Sequence, residues 1–238
     1  MSDLLECIEV PNSMGAELRL IDLRQPWGDP QTGSLAEWER ERAARFRFEK
    51  DARRYLVSHA ALRQLLGQHL GMPPAQVPLQ TTPLGKPFIQ GHPVHFNMSH
   101  SEDWALIGLH TQQIIGVDIE LHHTIHEIEA LARQNYTAAE WAAVQTSLDP
   151  LDAFLTCWTR KEACLKALGS GFGIEPGIFE AGVGKLNQTV RITTPDKGLC
   201  AMTVSSLDFS REREKHPHLP HLHGAIALVA PEDADRVC

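Results

Sequence analysis

The stretch IIGVDIEL, from Ile114 to Leu121, sets two carboxylates where they can act together. Ile115, Val117, Ile119 and Leu121 alternate with Gly116, Asp118 and Glu120. A period of two puts the apolar set on one strand face and both carboxylates on the other. Like charges so placed repel each other unless water or a cation separates them. A hard divalent cation suits them, and Mg²⁺ commonly takes one or two carboxylates together with substrate phosphates. A half-exposed strand with a solvated acidic face has the same alternation, and periodicity alone leaves both readings open.

A second chemical signal lies in CWTRKEACLKALG, from Cys157 to Gly169. At about 100° per residue, Phe154, Trp158, Leu165 and Leu168 form one helical stripe with Lys161 in its middle. A buried lysine needs an anionic partner or must reach past the core. Glu162 and Lys166 lie one turn apart on the flank of the stripe. They are either an i,i+4 pair worth about 0.3–0.5 kcal/mol, or a third carboxylate for a metal and a cation facing a phosphate.

Smaller signals point the same way. LGKP offers a turn with Lys86 at its tip, and FNMSHS puts Ser99 and His100 at a strand end, where a hydroxyl and an imidazole can hold a phosphate. Arg40, Arg42, Arg45, Arg47, Lys50, Arg53 and Arg54 crowd one segment, interleaved with Glu37, Glu39, Glu41, Glu49 and Asp51. That segment reads either as a solvated helix laced with ion pairs or as a local anion site.

The elements that position these residues follow from spacing. Helices are predicted over 34–48, with Ser34 as N-cap, and over 51–70, stopped by Gly71 and Pro73-Pro74. VHFNMSH, WALIGLH and IIGVDIEL read as strands. Helices then cover about 125–134, 137–147 and 150–168, with strands near 178–182, 188–193, 199–206 and 223–229. The order is an α+β chain of two similar, pseudo-twofold-related halves, each with helices packed on a small antiparallel sheet. The join falls near Gln112-Gln113, giving subdomains 1–113 and 114–238.

The chain has 238 residues, 42% hydrophobic and 22% charged, with a net charge of −8. That size supports a sizeable core, and the charge argues against general nucleic-acid binding. No apolar run approaches a membrane span, the first residues lack the pattern of a signal peptide, and a cytoplasmic protein is expected. Cys7, Cys157, Cys164, Cys200 and Cys238 include no CxxC and suggest neither a disulfide framework nor a zinc site.

RFRFEKDARR, GKP, FNMSHS, GVDIE and WTRKEACLKALGSGF, in this order, resemble the 4′-phosphopantetheinyl transferase superfamily, in particular its two-lobed, monomeric Sfp type; the KEA ending resembles the W/KEA subgroup. The resemblance implies an enzyme that takes coenzyme A and an apo acyl or peptidyl carrier protein. The carrier's serine attacks the β-phosphate, phosphopantetheine moves to the serine, and adenosine 3′,5′-bisphosphate leaves. It further implies that Asp118, Glu120 and Glu162 hold Mg²⁺, and that Glu162 is the general base, directly or through water. Lys166 would stabilise charge on the α-phosphate. By the same resemblance Ser99, His100, Arg54 and Arg42 hold the 3′-phosphate, and Gly85, Lys86 and Pro87 flank the adenine. Glu39 stands where similar proteins carry a lysine, with Arg40 available as a substitute. Lys161 is expected to pack its stem in the core and reach the carboxylates or coenzyme A.

YTAAEW matches a family motif that invites a catalytic Glu140, but Thr137-Ala-Ala-Glu140 is also a capping box. KHPHLPHLHG, with His216, His218, His221 and His223, reads as a solvated loop whose prolines break metal geometry. Two other functions use the same residues: a Mg²⁺-dependent pyrophosphatase of coenzyme A or nucleotides, and a non-catalytic carrier-binding protein.

Overall fold

The computed structural model describes residues 5–26, 33–82, 86–91, 94–169, 173–194 and 198–236. The fold is α+β. One antiparallel sheet is ordered β1 (Ile8–Glu9), β2 (Glu17–Asp22), β6 (Trp104–His110), β5 (His95–Ser101). Between β2 and β5 the chain forms helices α1 (Glu37–Ala43) and α2 (Glu49–Leu70) and a hairpin of β3 (Leu79–Thr81) and β4 (Pro87–Ile89). The second sheet is ordered β7 (Ile115–Leu121), β10 (Leu222–Val229), β9 (Gly198–Ser206), β8 (Gln188–Thr194). Helices α3 (Ile128–Asn135), α4 (Ala138–Gln145) and α5 (Pro150–Leu168) follow β7, and the short α6 (Ser210–Lys215) precedes β10. No described helix is long and apolar enough to cross a membrane.

Each sheet buries one face under a long helix. Val57, Ala61, Leu62 and Leu66 of α2 pack on Ile21, Ala105 and Ile107. Ala163 and Ala167 of α5 pack on Val204, Ala225 and Ala227. The remaining faces share a core, with Leu18, Leu20 and Leu106 clustered with Ile115, Val117, Ile119 and Ile226. The alternation in β7 is thereby explained, because its apolar set fills that shared core while Gly116 faces α5.

Gly116 is what lets α5 approach. A Cβ there would lie 2.1 Å from the Ala163 carbonyl oxygen and 2.3 Å from the Ala167 nitrogen. Both are helix backbone atoms and cannot rotate aside. Gly116→Ala should therefore cost near the top of the range of about 1–3 kcal/mol usual for overpacking. A thermal melt checks this against Gly184→Ala, whose added Cβ meets nothing within 4 Å. An unchanged melting temperature for Gly116→Ala would contradict the close packing.

Some boundaries differ from expectation. Helix α1 begins at Glu37 with Ala36, not Ser34, as N-cap, because the Glu39 carboxylate reaches back to accept from the Ala36 amide at 2.7 Å. Residues 178–182 form no strand; a short 3-10 turn over Pro176–Ile178 leads into a loop whose carbonyls are held by side chains of α5. Strands β1 and β2, before the first expected helix, complete the first sheet. Cys7, Cys157, Cys164 and Cys200 are free, and burial pushes the Cys164 thiol up to about 12, so it stays unreactive at neutral pH.

Candidate active site at the seam between the sheets

The edge strands β5 and β7 meet without a backbone ladder between them, and side chains take its place. Asn97, Ser99 and Ser101 alternate along β5. The Val117 amide donates to Asn97 Oδ1 at 2.9 Å, and the Leu121 amide donates to Ser101 Oγ at 3.0 Å. Ser99 Oγ donates to Asp118 Oδ1 at 2.8 Å, and Ser101 Oγ donates to Glu120 Oε2 at 2.8 Å. The bonds that join the halves thus also fix both carboxylates.

Helix α5 adds the remaining groups. Close packing at Gly116 sets its Glu162–Lys166 flank over β7. Lys166 Nζ donates to Asp118 Oδ1 and to Ser99 Oγ, each at 2.6 Å. Asp118 is only 3% exposed, and its Oδ2 is buried without a hydrogen-bond partner. Burial, then the neighbouring Asp118 charge, raises the pKa of both Glu120 and Glu162 above the ordinary carboxylate value; Lys166 opposes this. Crowded carboxylates with an orphaned buried oxygen are a donor set that fits a hard dication. Asp118, Glu120 and Glu162 do not bring three ligand atoms within 4.8 Å of one another, and Lys166 is the cation that Asp118 holds.

Lys161 corrects the expectation placed on it. It is 2% exposed, as a lysine in an apolar stripe must be, but its ammonium is spent elsewhere. It pairs with Glu140 Oε2 at 2.8 Å and donates to the carbonyls of Pro176 at 2.7 Å and Phe179 at 2.5 Å. It reaches neither the carboxylates nor the cleft. Glu140 is correspondingly the cap of α4, accepting from the Thr137 amide at 2.9 Å, while its other oxygen accepts from the amides of Ala181 and Gly182 at 2.8 and 3.1 Å. Both oxygens are occupied, and Glu140 ties the start of α4 to α5 and to the loop after Pro176.

Ser99 and His100 were expected to hold one phosphate, but adjacent strand residues turn to opposite faces. Ser99 is buried against Asp118 and Lys166, and only His100 is exposed. Surrounding protein lowers the His100 pKa, with Lys166 and Arg54 adding to the effect and Asp118 opposing it. Arg54 lies near that ring but is paired with Glu102 and Asp103 at 2.8 and 2.9 Å. Arg42 is exposed, its guanidinium over the Tyr55 ring.

Glu39 is fully buried, joined to His59 Nδ1 at 2.9 Å and Arg63 Nε at 2.6 Å. It fastens α1 to α2, which gives an acid a structural role at this position. Arg40 donates to the Leu35 carbonyl at 2.8 Å and pairs with Glu37 at 2.8 Å.

Lys86 donates to the Lys166 carbonyl at 2.9 Å, capping the C-terminal end of α5. Beside it a cleft between the halves is lined by Lys86, Pro87, Phe88, Phe96, Ile114 and Gly169. Gly85 lies outside the described residues.

Spacing alone missed Asn97 and Ser101, although their alternation with Ser99 was a readable sign of a polar strand face. It also missed Arg160, which is fully buried and holds the Ala181 and Leu186 carbonyls at 2.6 and 3.0 Å.

Residues 114–217 match the family model for the 4′-phosphopantetheinyl transferase superfamily, and residues 30–112 match the model for the 4′-phosphopantetheinyl transferase N-terminal region. The chain is 31% identical over 175 residues to a phosphopantetheinyl transferase of Thraustochytrium sp., a match covering 64% of this chain and 61% of that protein. It is 33% identical over 159 residues to the 4′-phosphopantetheinyl transferase HetI of Nostoc sp., covering 63% and 67%. It is 31% identical over 174 residues to the 4′-phosphopantetheinyl transferase psf-1 of Bacillus pumilus, covering 71% and 73%. The chain thus spans about three fifths of the Thraustochytrium protein and two thirds or more of the other two.

Proposed function

We propose that this chain, which belongs to the 4′-phosphopantetheinyl transferase superfamily, transfers the 4′-phosphopantetheine arm of coenzyme A to a serine of an apo acyl or peptidyl carrier protein. The observation that carries the reading is the seam itself. There Asp118, Glu120, Glu162 and Lys166 gather from β7 and α5, with a buried carboxylate oxygen lacking a partner.

Asp118, Glu120 and Glu162 would hold Mg²⁺. When bound, the ion offsets pyrophosphate charge and orients the phosphate under attack. The protein's own groups account for the rest. Glu162, made more basic by burial and by Asp118, accepts the proton of the carrier serine. The serine oxygen then bonds to the β-phosphorus as the bridging P–O bond breaks. The electron pair leaves on the α-phosphate of adenosine 3′,5′-bisphosphate, and the Lys166 ammonium stabilises that charge. Ser99 and Ser101 position the two β7 carboxylates. The cleft beside Lys86 and Pro87 receives the nucleotide, with His100 and Arg42 toward its 3′-phosphate. The reading extends to a cytoplasmic monomer that works with these two partners, without nucleic acid or membrane.

Following coenzyme A with and without an apo carrier tests this against hydrolysis. Adenosine 3′,5′-bisphosphate should appear only when the carrier is present; equal release without carrier would make the protein a pyrophosphatase. His100→Ala should weaken coenzyme A binding more than it slows the chemical step. The defect should shrink with dephospho-coenzyme A, which lacks the 3′-phosphate. A defect equally large with both ligands would remove His100 from that contact.

A further inference from the structure

The segment read as a solvated loop divides in two. His218 stacks on Trp104 with ring centroids 6.0 Å apart, and His216 meets His218 edge-on at 5.9 Å. His221 and His223 instead lie beyond the last proline, where the chain enters β10. The β7–β10 ladder pairs Leu222 with Leu121 and His223 with Glu120, and the His122 amide donates to the His221 carbonyl at 2.9 Å. Backbone pairing therefore brings His122, from the end of β7, against both imidazoles. The prolines turn the chain before the cluster, where the rings of His122, His221 and His223 lie against one another with centroids 4.4–5.2 Å apart.

We propose that His122, His221 and His223 form a binding site for a first-row divalent transition metal, of which Zn²⁺ is the natural occupant. One nitrogen from each ring lies within 4.8 Å of the other two, the one such cluster among the described residues. His122 Nδ1 and His223 Nε2 are 2.9 Å apart. A tetrahedral zinc with Zn–N bonds of about 2.0–2.1 Å holds neighbouring nitrogens about 3.3 Å apart. Taking the ion therefore requires the hydrogen-bonded pair to open and release its shared proton, and the stacked His122 and His221 rings, with centroids 4.4 Å apart, to rotate their nitrogens toward it.

The surroundings are those of a ligand set. His223 is 5% exposed, and its remaining nitrogen, Nδ1, lies 3.9 Å from Asp152 Oδ1 on the first turn of α5. At 3.9 Å the two are not hydrogen-bonded as they stand, but an approach of about 1 Å would let the Asp152 carboxylate accept from Nδ1, the arrangement that orients a ligating imidazole. His221 is exposed, which leaves one side of the cluster open to solvent for a fourth ligand. The donors are all imidazoles, which suit zinc, copper or nickel, whereas the carboxylates at the seam suit Mg²⁺. The two sites select different ions although Glu120, on β7, and His122, just past its end, are two residues apart. A metal here pins the ends of β7 and β10 together, next to Glu120.

Titration calorimetry with Zn²⁺ tests the site, using full-length protein without a histidine tag and with Mg²⁺ in large excess to occupy the carboxylates. One equivalent of Zn²⁺ should bind. His221→Asn, at an exposed position, should abolish that binding, and His218→Asn should leave it intact. Asp152→Asn should weaken it about 10–100-fold. Co²⁺ in place of zinc should give the strong visible absorption of a four-coordinate centre, absent in His221→Asn. Zn²⁺ binding that is missing from the wild type, or equal in His221→Asn, overturns the proposal. So does binding lost equally in His218→Asn, which would mean chelation by the loop and not by this cluster.

Discussion

Lys161→Met is expected to lower the melting temperature by about 6–20 °C, corresponding to about 3–5 kcal/mol for breaking a buried ion pair in a chain of this size. Methionine replaces the stem, so packing is nearly conserved and the measured loss reports the charge. The loss arises because Glu140 stays behind, 4% exposed, with its counter-ion gone, and the Pro176 and Phe179 carbonyls lose their donor.

The pH dependence gives an independent check. Burial acts against the charged form of Glu140, but Lys161 and the amides of Thr137 and Gly182 outweigh it and hold the pKa below 4.5. A depressed carboxyl contributes stability that is present above its unfolded pKa and lost as pH falls through the folded one. In Lys161→Met the burial effect is no longer opposed by the ammonium, so the carboxyl gains a proton more readily and acid relieves the variant. The gap in melting temperature between the two proteins should therefore narrow as pH falls from neutral toward 4.5. A gap that is absent at neutral pH, or that widens in acid, would mean that the pair does not support the fold.

The second large effect is on transfer. Asp118→Asn and Glu162→Gln are each expected to reduce it by about 10²–10³-fold or more, the scale of losing one electrostatic contact to a transition state. The two should differ in stability. Glu162 lies on the partly exposed flank of α5, and its amide variant should melt near the wild type. Asp118 is buried and joins Ser99 to Lys166, so Asp118→Asn weakens the seam as well. A Glu162→Gln variant that melted far below the wild type would show a structural role for that side chain.

The contrast between Lys161 and Glu162 shows what spacing conveys. Helical periodicity placed Lys161 on the buried stripe and Glu162 on its flank, and both statements hold. Periodicity carries no information about which anion lies across the gap. Glu140 was in view as a cap, but a capping box uses one of its oxygens, and nothing local in sequence points the other at the loop after Pro176. Helix α5 was legible from Pro150 to Leu168 because Asp149 caps its start and Gly169 closes it with a left-handed residue. β7 was legible because one face is fully apolar. The seam was not, since β5 and β7 join through side chains and leave no hairpin signal. The burial of Glu39 was not legible for a related reason, since it depends on His59 and Arg63 a helix away. The histidine cluster depends on a strand register linking residues 122 and 221, which a local reading of the prolines could not supply.

Mass measurement of a panel of apo carrier proteins tests the central claim most directly. Each carrier is incubated with coenzyme A, Mg²⁺ and either the wild-type protein or Glu162→Gln. At least one carrier should gain the mass of a single phosphopantetheine group on its serine with the wild type, and remain apo over the same interval with Glu162→Gln. Carriers left unmodified by the wild type across the panel, or modified as fast by Glu162→Gln, would contradict the account.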